Sequence, residues 1–284
     1  MKIYKAQVKW GDSFQELADC WAEKKFCEVV QSANQLSWLE DGDRAGLVLL
    51  HEYDRCDLWR EKSDFRDPSN YRKALFANEL APGHSPWIYW PRHIRVVTEL
   101  LKEGVLSYDK RDYHSIFIGA AENPIQYVNR TKFDWGPCVD KFDFSVNLFS
   151  KTPHKYSNLE FLKLIRRARF GLSLEGYGPK CQRDIEYMAN GVVPIFTWDS
   201  FNDYHNPIQE DVHYLYARHP REVKEKIAST SKEKWQEMSD NCIEWFNKNC
   251  SIEGSFKTTM EIIGNKKNFP KKIKKHSGRY IQTY

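Results

Sequence analysis

The chain has 284 residues, 41% hydrophobic and 14% aromatic, enough for two ordinary domains with packed cores. Its net charge is +4, from 43 basic and 39 acidic residues, too small a surplus to argue for nucleic-acid binding. No run of about eighteen apolar residues is present to span a membrane, and the N-terminal MKIYKAQVKWGD lacks the apolar stretch of a secretory signal. The seven cysteines show no Cys-x-x-Cys spacing; reduced thiols in a cytoplasmic protein are expected, and the sequons at Asn129 and Asn249 read as accidental.

In chain order, Ile3 to Trp10 alternates weakly as a strand. Gly11-Asp12-Ser13 makes a turn with a capping residue, and Phe14 to Phe26 has helical periodicity. Cys27 to Val30 is a short strand. Asp41-Gly-Asp43 has a metal-binding form, but it precedes a buried strand rather than following one, so it reads as a polar turn and no metal is assigned. Ala45 to Leu50 is a strongly apolar strand ending in His51-Glu52-Tyr53-Asp54. Pro82 to Pro91 is an aromatic-rich loop whose His84, nine residues from His93, fits no ligand spacing. Arg92 to Lys102 is helical.

The polar run Asp109 to His114 is the expected linker. Ser115 to Gly119 is a strand, followed by Arg130 on a loop. Asn158 to Arg167 is an amphipathic helix. Phe170 to Leu174 is a short apolar run suited to a strand covered on both faces. Gly176 and Gly178 allow a tight turn around Tyr177, with Pro179 at the first helical position. The helix runs to about Asn190, Gly191 is its left-handed cap, and Val192 to Phe196 is the next strand. Such a β-turn-α-β unit aims backbone N–H groups and a helix dipole at an anion. Lys180 and Arg183 supply cations beside it, and Arg183 and Glu186 share a helix face. An arginine can fork onto a diphosphate, and a carboxylate can accept ribose hydroxyls. Thr197 to Asn206 is a loop. Ser229 to Asn249 is a long helix with Trp235, Met238, Cys242 and Trp245 on one side. The basic run KKNFPKKIKK ends in a tail read first as a solvated terminus and second as a docking element for an anionic surface.

Arg169-Phe170, Gly176, Gly178, Arg183, Glu186, Gly191 and Pro194 fall in an order that resembles, without a gap, the nucleotide-sugar-binding half of exostosin-like glycosyltransferases. Two departures are the short chain and Glu175, where that family commonly has arginine. In size, cysteine content and lack of a membrane span the chain is also similar to the capsid-glycan transferases of large algal viruses, xylosyltransferases among them. The exostosin resemblance implies an α/β, GT-B-like protein: two Rossmann-type domains with parallel sheets facing a central crevice. It also implies Arg183 on a donor diphosphate and Glu186 on its ribose. The viral likeness points to UDP-xylose as the donor.

The expected domains are 1–110, holding acceptor and catalytic base, 111–264, holding the nucleotide sugar, and the basic tail 265–284. Inverting sugar transfer needs a base for the acceptor hydroxyl and positive charge for the departing diphosphate. Asp12, after the first strand, is the leading base candidate, although that position also suits a helix cap. Glu52 and Asp54, at the end of the most apolar strand, follow closely; His51 could serve as a base or simply pack. Gly176, Tyr177, Gly178, Lys180, Arg183, Glu186 and Arg130 form the donor-site set. The expected partners are a uridine-type nucleotide sugar and a glycan hydroxyl, with no cofactor. A metal-dependent GT-A transferase and a non-catalytic sugar- or nucleotide-binding module stay open as alternatives. No phosphate-binding P-loop and no Gly-x-Gly-x-x-Gly after a first strand occurs, which counts against kinase and dehydrogenase.

Overall fold

A computed structural model describes residues 2–7, 12–30, 47–51, 74–76, 91–122, 124–147, 154–176, 181–198, 205–264, 272–276 and 279–283. The chain divides into two compact units, one of Met1–Trp90, Asp203–Asn206 and Ile252–Tyr284, the other of Pro91–Asn202 and Pro207–Ser251.

In the first unit, strands β1 (Lys2–Gln7), β2 (Glu28–Val30), β3 (Leu47–His51) and β4 (Ala74–Phe76) form a parallel sheet in the order β2-β1-β3-β4. Parallel neighbours need a crossover, and helix α1 (Asp12–Glu23) supplies the one between β1 and β2. Gln7 is paired with His51, so the carboxyl ends of β1 and β3 lie side by side where the strand order reverses. The inner side of α1 buries Leu17, Ala18, Cys20 and Trp21. Trp21 donates its indole N–H to Ser255 at 3.1 Å and meets Phe256 edge-on at 5.7 Å. That contact returns the helix Ile252–Gly264 to this unit. The 265–284 segment, expected as a separate basic tail, holds the antiparallel strands Lys272–His276 and Arg279–Thr283 and belongs to this unit as well.

The second unit opens with helix α2 (Ile94–Leu101), which buries Ile94, Val97 and Leu100. Strand β5 (Tyr113–Ala121) follows, then α3 (Pro124–Thr131), β6 (Lys141–Asn147), α4 (Asn158–Ile165), β7 (Ala168–Ser173), α5 (Gln182–Ala189), β8 (Val193–Phe196), β9 (Leu215–Tyr216), α6 (Pro220–Ser229) and α7 (Lys232–Asn249). The five strands are parallel in the order β6-β5-β7-β8-β9. The core gathers Phe117, Trp135, Phe170, Leu172, Val193, Ile195, Trp235 and Met238.

Several boundaries differ from the sequence reading for local physical reasons. The polar run at 109–114 is no linker: Tyr108–Lys110 is a 3-10 turn and Tyr113 already starts β5. The units part at Pro91 instead, because α2 packs on α4 and α5. Helix α5 starts at Gln182 rather than Pro179, with Cys181 donating its backbone N–H to Asp184 at 3.3 Å. The helix expected from Ser229 starts at Lys232, where the Ser231 hydroxyl accepts the Lys234 N–H at 3.1 Å. Gly191 has φ +63°, the left-handed conformation expected of a helix stop.

Candidate functional site

The order β6-β5-β7-β8-β9 reverses between β5 and β7, and in such sheets ligands sit outside the carboxyl ends of the strands at that point. Here the backbone pairing of β5 with β7 runs only as far as Ile116 with Gly171. Beyond it, three side chains span the two strands. Tyr187 Oη sits 3.4 Å from the Ile116 carbonyl and 3.5 Å from that of Leu172. Arg183 donates to Ile118 at 3.4 Å and to Leu174 at 3.1 Å. Arg130 donates to the Ala120 carbonyl and, at 3.2 Å, to that of Glu175. Each rung has a glycine that makes room for it. A Cβ on Gly171 would lie 2.5 Å from the Tyr187 ring, one on Gly119 2.4 Å from Arg183, and one on Gly176 2.9 Å from Arg130. Glycine inside a strand marks a close approach of this kind.

The rungs come from α5 and α3. Helix α5 is buried from Arg183 through Ala189 despite its charged residues. Burying a guanidinium requires that its N–H groups be answered, and the carbonyls at the splayed strand ends do so. Phe117 lies beneath both arginines, 4.6 Å from Arg183 and 5.9 Å from Arg130. Burial first, then the charge of Arg183, pulls Arg130 down to about 10. Burial pushes the Asp184 carboxyl up to about 6 against the pull of Arg183. That carboxyl accepts from the Ser173 hydroxyl and from the Cys181 amide. Two guanidinium groups thus share a small buried volume, a setting that favours an anion alongside. The Nε of Arg183 is buried and has no partner.

The turn after β7 is held from one side. Leu174, Glu175 and Gly176 present their carbonyls to Arg183, Arg130 and the Asn129 amide respectively, the last at 3.1 Å. With no cis peptide among the described residues, a peptide N–H points opposite to its carbonyl. The N–H groups of Glu175 and Gly176 therefore face away from the arginines.

Of the donor-site set, Arg130, Gly176 and Arg183 come together here. Arg130 was expected on a loop; it lies on α3 and is buried. Glu186 is also buried on α5, but its carboxylate turns to the backbone N–H of Arg92 at 3.2 Å, and burial raises its pKa. Tyr177, Gly178 and Lys180 lie outside the described residues, as do Glu52, Asp54, Asp41 and Asp43. Asp12 is the first residue of α1. Sequence reading did not single out Gly119, Gly171, Asn129, Asp184 or Tyr187. The available signal was a glycine within each of two apolar strands, with Tyr187 four residues after Arg183 on one helix face.

No known family model matches the sequence, and no curated protein matches it. Among solved structures the fold is similar to an α-glucosyltransferase in complex with UDP and a 13-mer DNA containing a HMU base. The TM-score is 0.57 at 10% identity, over 93% of this chain and 100% of that one. An α1,3-fucosyltransferase (TM-score 0.47, 14% identity, 94% and 90% covered) and Anabaena Alr3699/HepE in complex with UDP and glucose (0.46, 10%, 93% and 100%) are similar more loosely and add no weight. At such identities the likeness speaks to the fold alone. Among the described residues no helix is long and apolar enough to cross a membrane. With its two parallel sheets and its similarity to the glucosyltransferase, the chain has an α/β fold of the GT-B-like class.

Proposed function

We propose that the protein is a glycosyltransferase that moves a sugar from a nucleoside-diphosphate sugar, a UDP-sugar by preference, to a glycan hydroxyl. The observation that supports this most is the splayed switch point between β5 and β7, with buried arginines and a turn whose N–H groups point away from them, where an anion belongs. The diphosphate lies against the turn Leu174–Gly176 and the N-terminus of α5, in the positive field of Arg130 and Arg183, with Lys180 close by in sequence. Glu186 accepts ribose hydroxyls through the oxygen not engaged by Arg92. One solved structure similar in fold carries UDP. The glucosyltransferase is also bound to DNA, but a net charge of +4 on this chain is too small a surplus to argue for a nucleic-acid acceptor.

The first unit supplies the base. Its sheet reverses order between β1 and β3, and Asp12, Glu52 and Asp54 all follow the paired ends of those strands in sequence. A carboxylate there takes the acceptor proton as the hydroxyl attacks the anomeric carbon. The sugar–phosphate bond breaks in the same displacement, and the nucleoside diphosphate departs with inversion and without a metal. UDP-xylose is the donor the viral likeness implies. A thermal-shift screen of nucleotide sugars, followed by calorimetry on Arg183→Ala and Glu186→Ala, tests the donor site: roughly ten- to a hundredfold weaker binding is expected. Unchanged affinity in two folded variants would sink it. Asp12→Asn, Glu52→Gln and Asp54→Asn test the base, one of which is expected to slow turnover by roughly a hundred- to ten-thousandfold. EDTA sensitivity relieved by manganese would argue for a metal-dependent reaction, and retained anomeric configuration in the product would overturn inversion.

A further inference from the structure

We propose that Arg183 and Arg130 are positioning residues that hold the turn Leu174–Gly176 in its donor-binding shape from behind, rather than gripping the diphosphate themselves. The proposal rests on the donor-site reading and assigns the roles within it. Arg183 joins the Ile118 carbonyl of β5 to the Leu174 carbonyl at the start of the turn. Arg130 joins Ala120 of β5 to Glu175. Between them the two forks replace the backbone ladder that stops at Ile116 and Gly171. Each arginine donates to two main-chain oxygens, Arg130 Nη2 also donates to Cys181 Sγ at 3.8 Å, and both side chains are buried, Arg183 7% and Arg130 4% exposed. What these contacts set is the direction of two consecutive peptide planes: carbonyls toward the arginines, N–H groups of Glu175 and Gly176 away from them. Consecutive N–H groups turned to one side beside a helix N-terminus make an anion cradle. Gly119 and Gly176 are the openings through which the forks reach the carbonyls.

A gripping arginine and a positioning arginine respond differently to lysine. A lysine keeps the charge that a diphosphate would feel, but it cannot span two carbonyls with a planar fork. The experiment is UDP binding by calorimetry on Arg183→Lys and Arg183→Gln, with Arg130→Lys as an independent second site. Amide hydrogen exchange of the Leu174–Gly176 turn is measured in the same proteins without ligand. We expect Arg183→Lys to lose roughly tenfold or more in affinity, about as much as Arg183→Gln, and the turn amides to exchange roughly tenfold faster in both. Arg130→Lys is expected to behave alike, and it decides the matter if the Arg183 variants do not fold. UDP affinity within about threefold of wild type in the lysine variants, or turn exchange unchanged in all of them, overturns the proposal. If wild-type protein does not bind UDP or any nucleotide sugar, the donor reading falls instead, while exchange in the ligand-free variants still tests whether the arginines shape the turn.

Discussion

At the amino end of the five-stranded sheet a buried arginine is spent wholly on backbone, whereas at the carboxyl end two buried arginines bridge strands whose own pairing has stopped. Arg111 donates to Leu106 at 3.0 Å, Arg166 at 3.1 Å, Ala168 at 2.7 Å and Asn190 at 2.9 Å, and it lies over the Trp235 ring at 4.9 Å. Those carbonyls come from three separate segments, so the side chain ties them together as a staple. Burial, followed by the charges of Arg166 and Arg169, pulls it down to about 9. Among the described glycines, none has Arg111 among the nearest neighbours of an added Cβ. At the other end Arg130 and Arg183 also bind carbonyls, yet they enter through Gly119 and Gly176, and Arg183 Nε stays unpartnered. The same residue type, similarly buried, has every nitrogen matched to a carbonyl at one end, and at the other reaches carbonyls where the strand pairing has stopped, with one nitrogen left over.

The largest expected effect falls on the staple. Arg111→Gln leaves several buried carbonyls short of a donor, at about 1–3 kcal/mol for each unsatisfied group. Urea unfolding is expected to show a loss of roughly 3–5 kcal/mol, with nucleotide affinity of the folded protein unchanged. A stable variant with weakened nucleotide binding would break the division between the two ends. Next in size is Gly171→Ala. Its new methyl would stand 2.5 Å from the fully buried Tyr187 ring. Forcing it in is expected to cost about 2–3 kcal/mol. Thermal unfolding indistinguishable from wild type would mean that the Tyr187 rung is loose.

Asp184 sets a pH test of the carboxyl end. Its folded value, about 6, stands above the ordinary 3.8 because burial disfavours the charge. The native state therefore holds the proton more tightly than the unfolded chain. The associated stability is fully present below about pH 4 and is lost as pH rises through about 6, an effect on the order of 2 kcal/mol. Asp184→Asn removes that slope. The stability difference between wild type and variant is expected to move against the wild type between pH 4 and 7; a flat difference across that window would show that Asp184 is not held protonated by burial.

The parallel sheets could be read from the sequence because buried strands announce themselves as apolar runs. Phe170 to Leu174 and Val192 to Phe196 fall within a residue or two of β7 and β8, and the left-handed Gly191 stands where a helix stop requires one. Arg183 stood out because a glycine turn and a helix start frame it. The rungs did not, because burial of Arg130 depends on carbonyls at Ala120 and Glu175, far apart in sequence, that no local pattern reports. Gly119 and Gly171 looked like ordinary weak points in strands until the side chains that fill them were in place. Pro179 suggested an early helix start, but a capping contact to Asp184 won and set the start at Gln182.

Gly119→Ala gives the smallest expected effect and separates the two ends most sharply. Its added Cβ would lie 2.4 Å from Arg183 Nη1, 2.8 Å from the tip of Phe117 and 3.3 Å from Arg130 Nη1. These are the far ends of side chains, and the guanidinium groups can swing aside. The fold therefore absorbs the change more readily than that of Gly171→Ala, where all three nearest atoms belong to the buried Tyr187 ring; at Gly119 the buried Phe117 ring is only one neighbour of three. A displaced guanidinium no longer reaches both carbonyls, and the turn loses its hold. A loss of urea stability smaller than that of Gly171→Ala is expected, together with roughly tenfold weaker UDP binding, which is about 1.4 kcal/mol. The opposite pattern, stability lost as in Gly171→Ala with UDP affinity kept, would make the carboxyl end a second staple like Arg111 and remove the physical basis for placing the donor there.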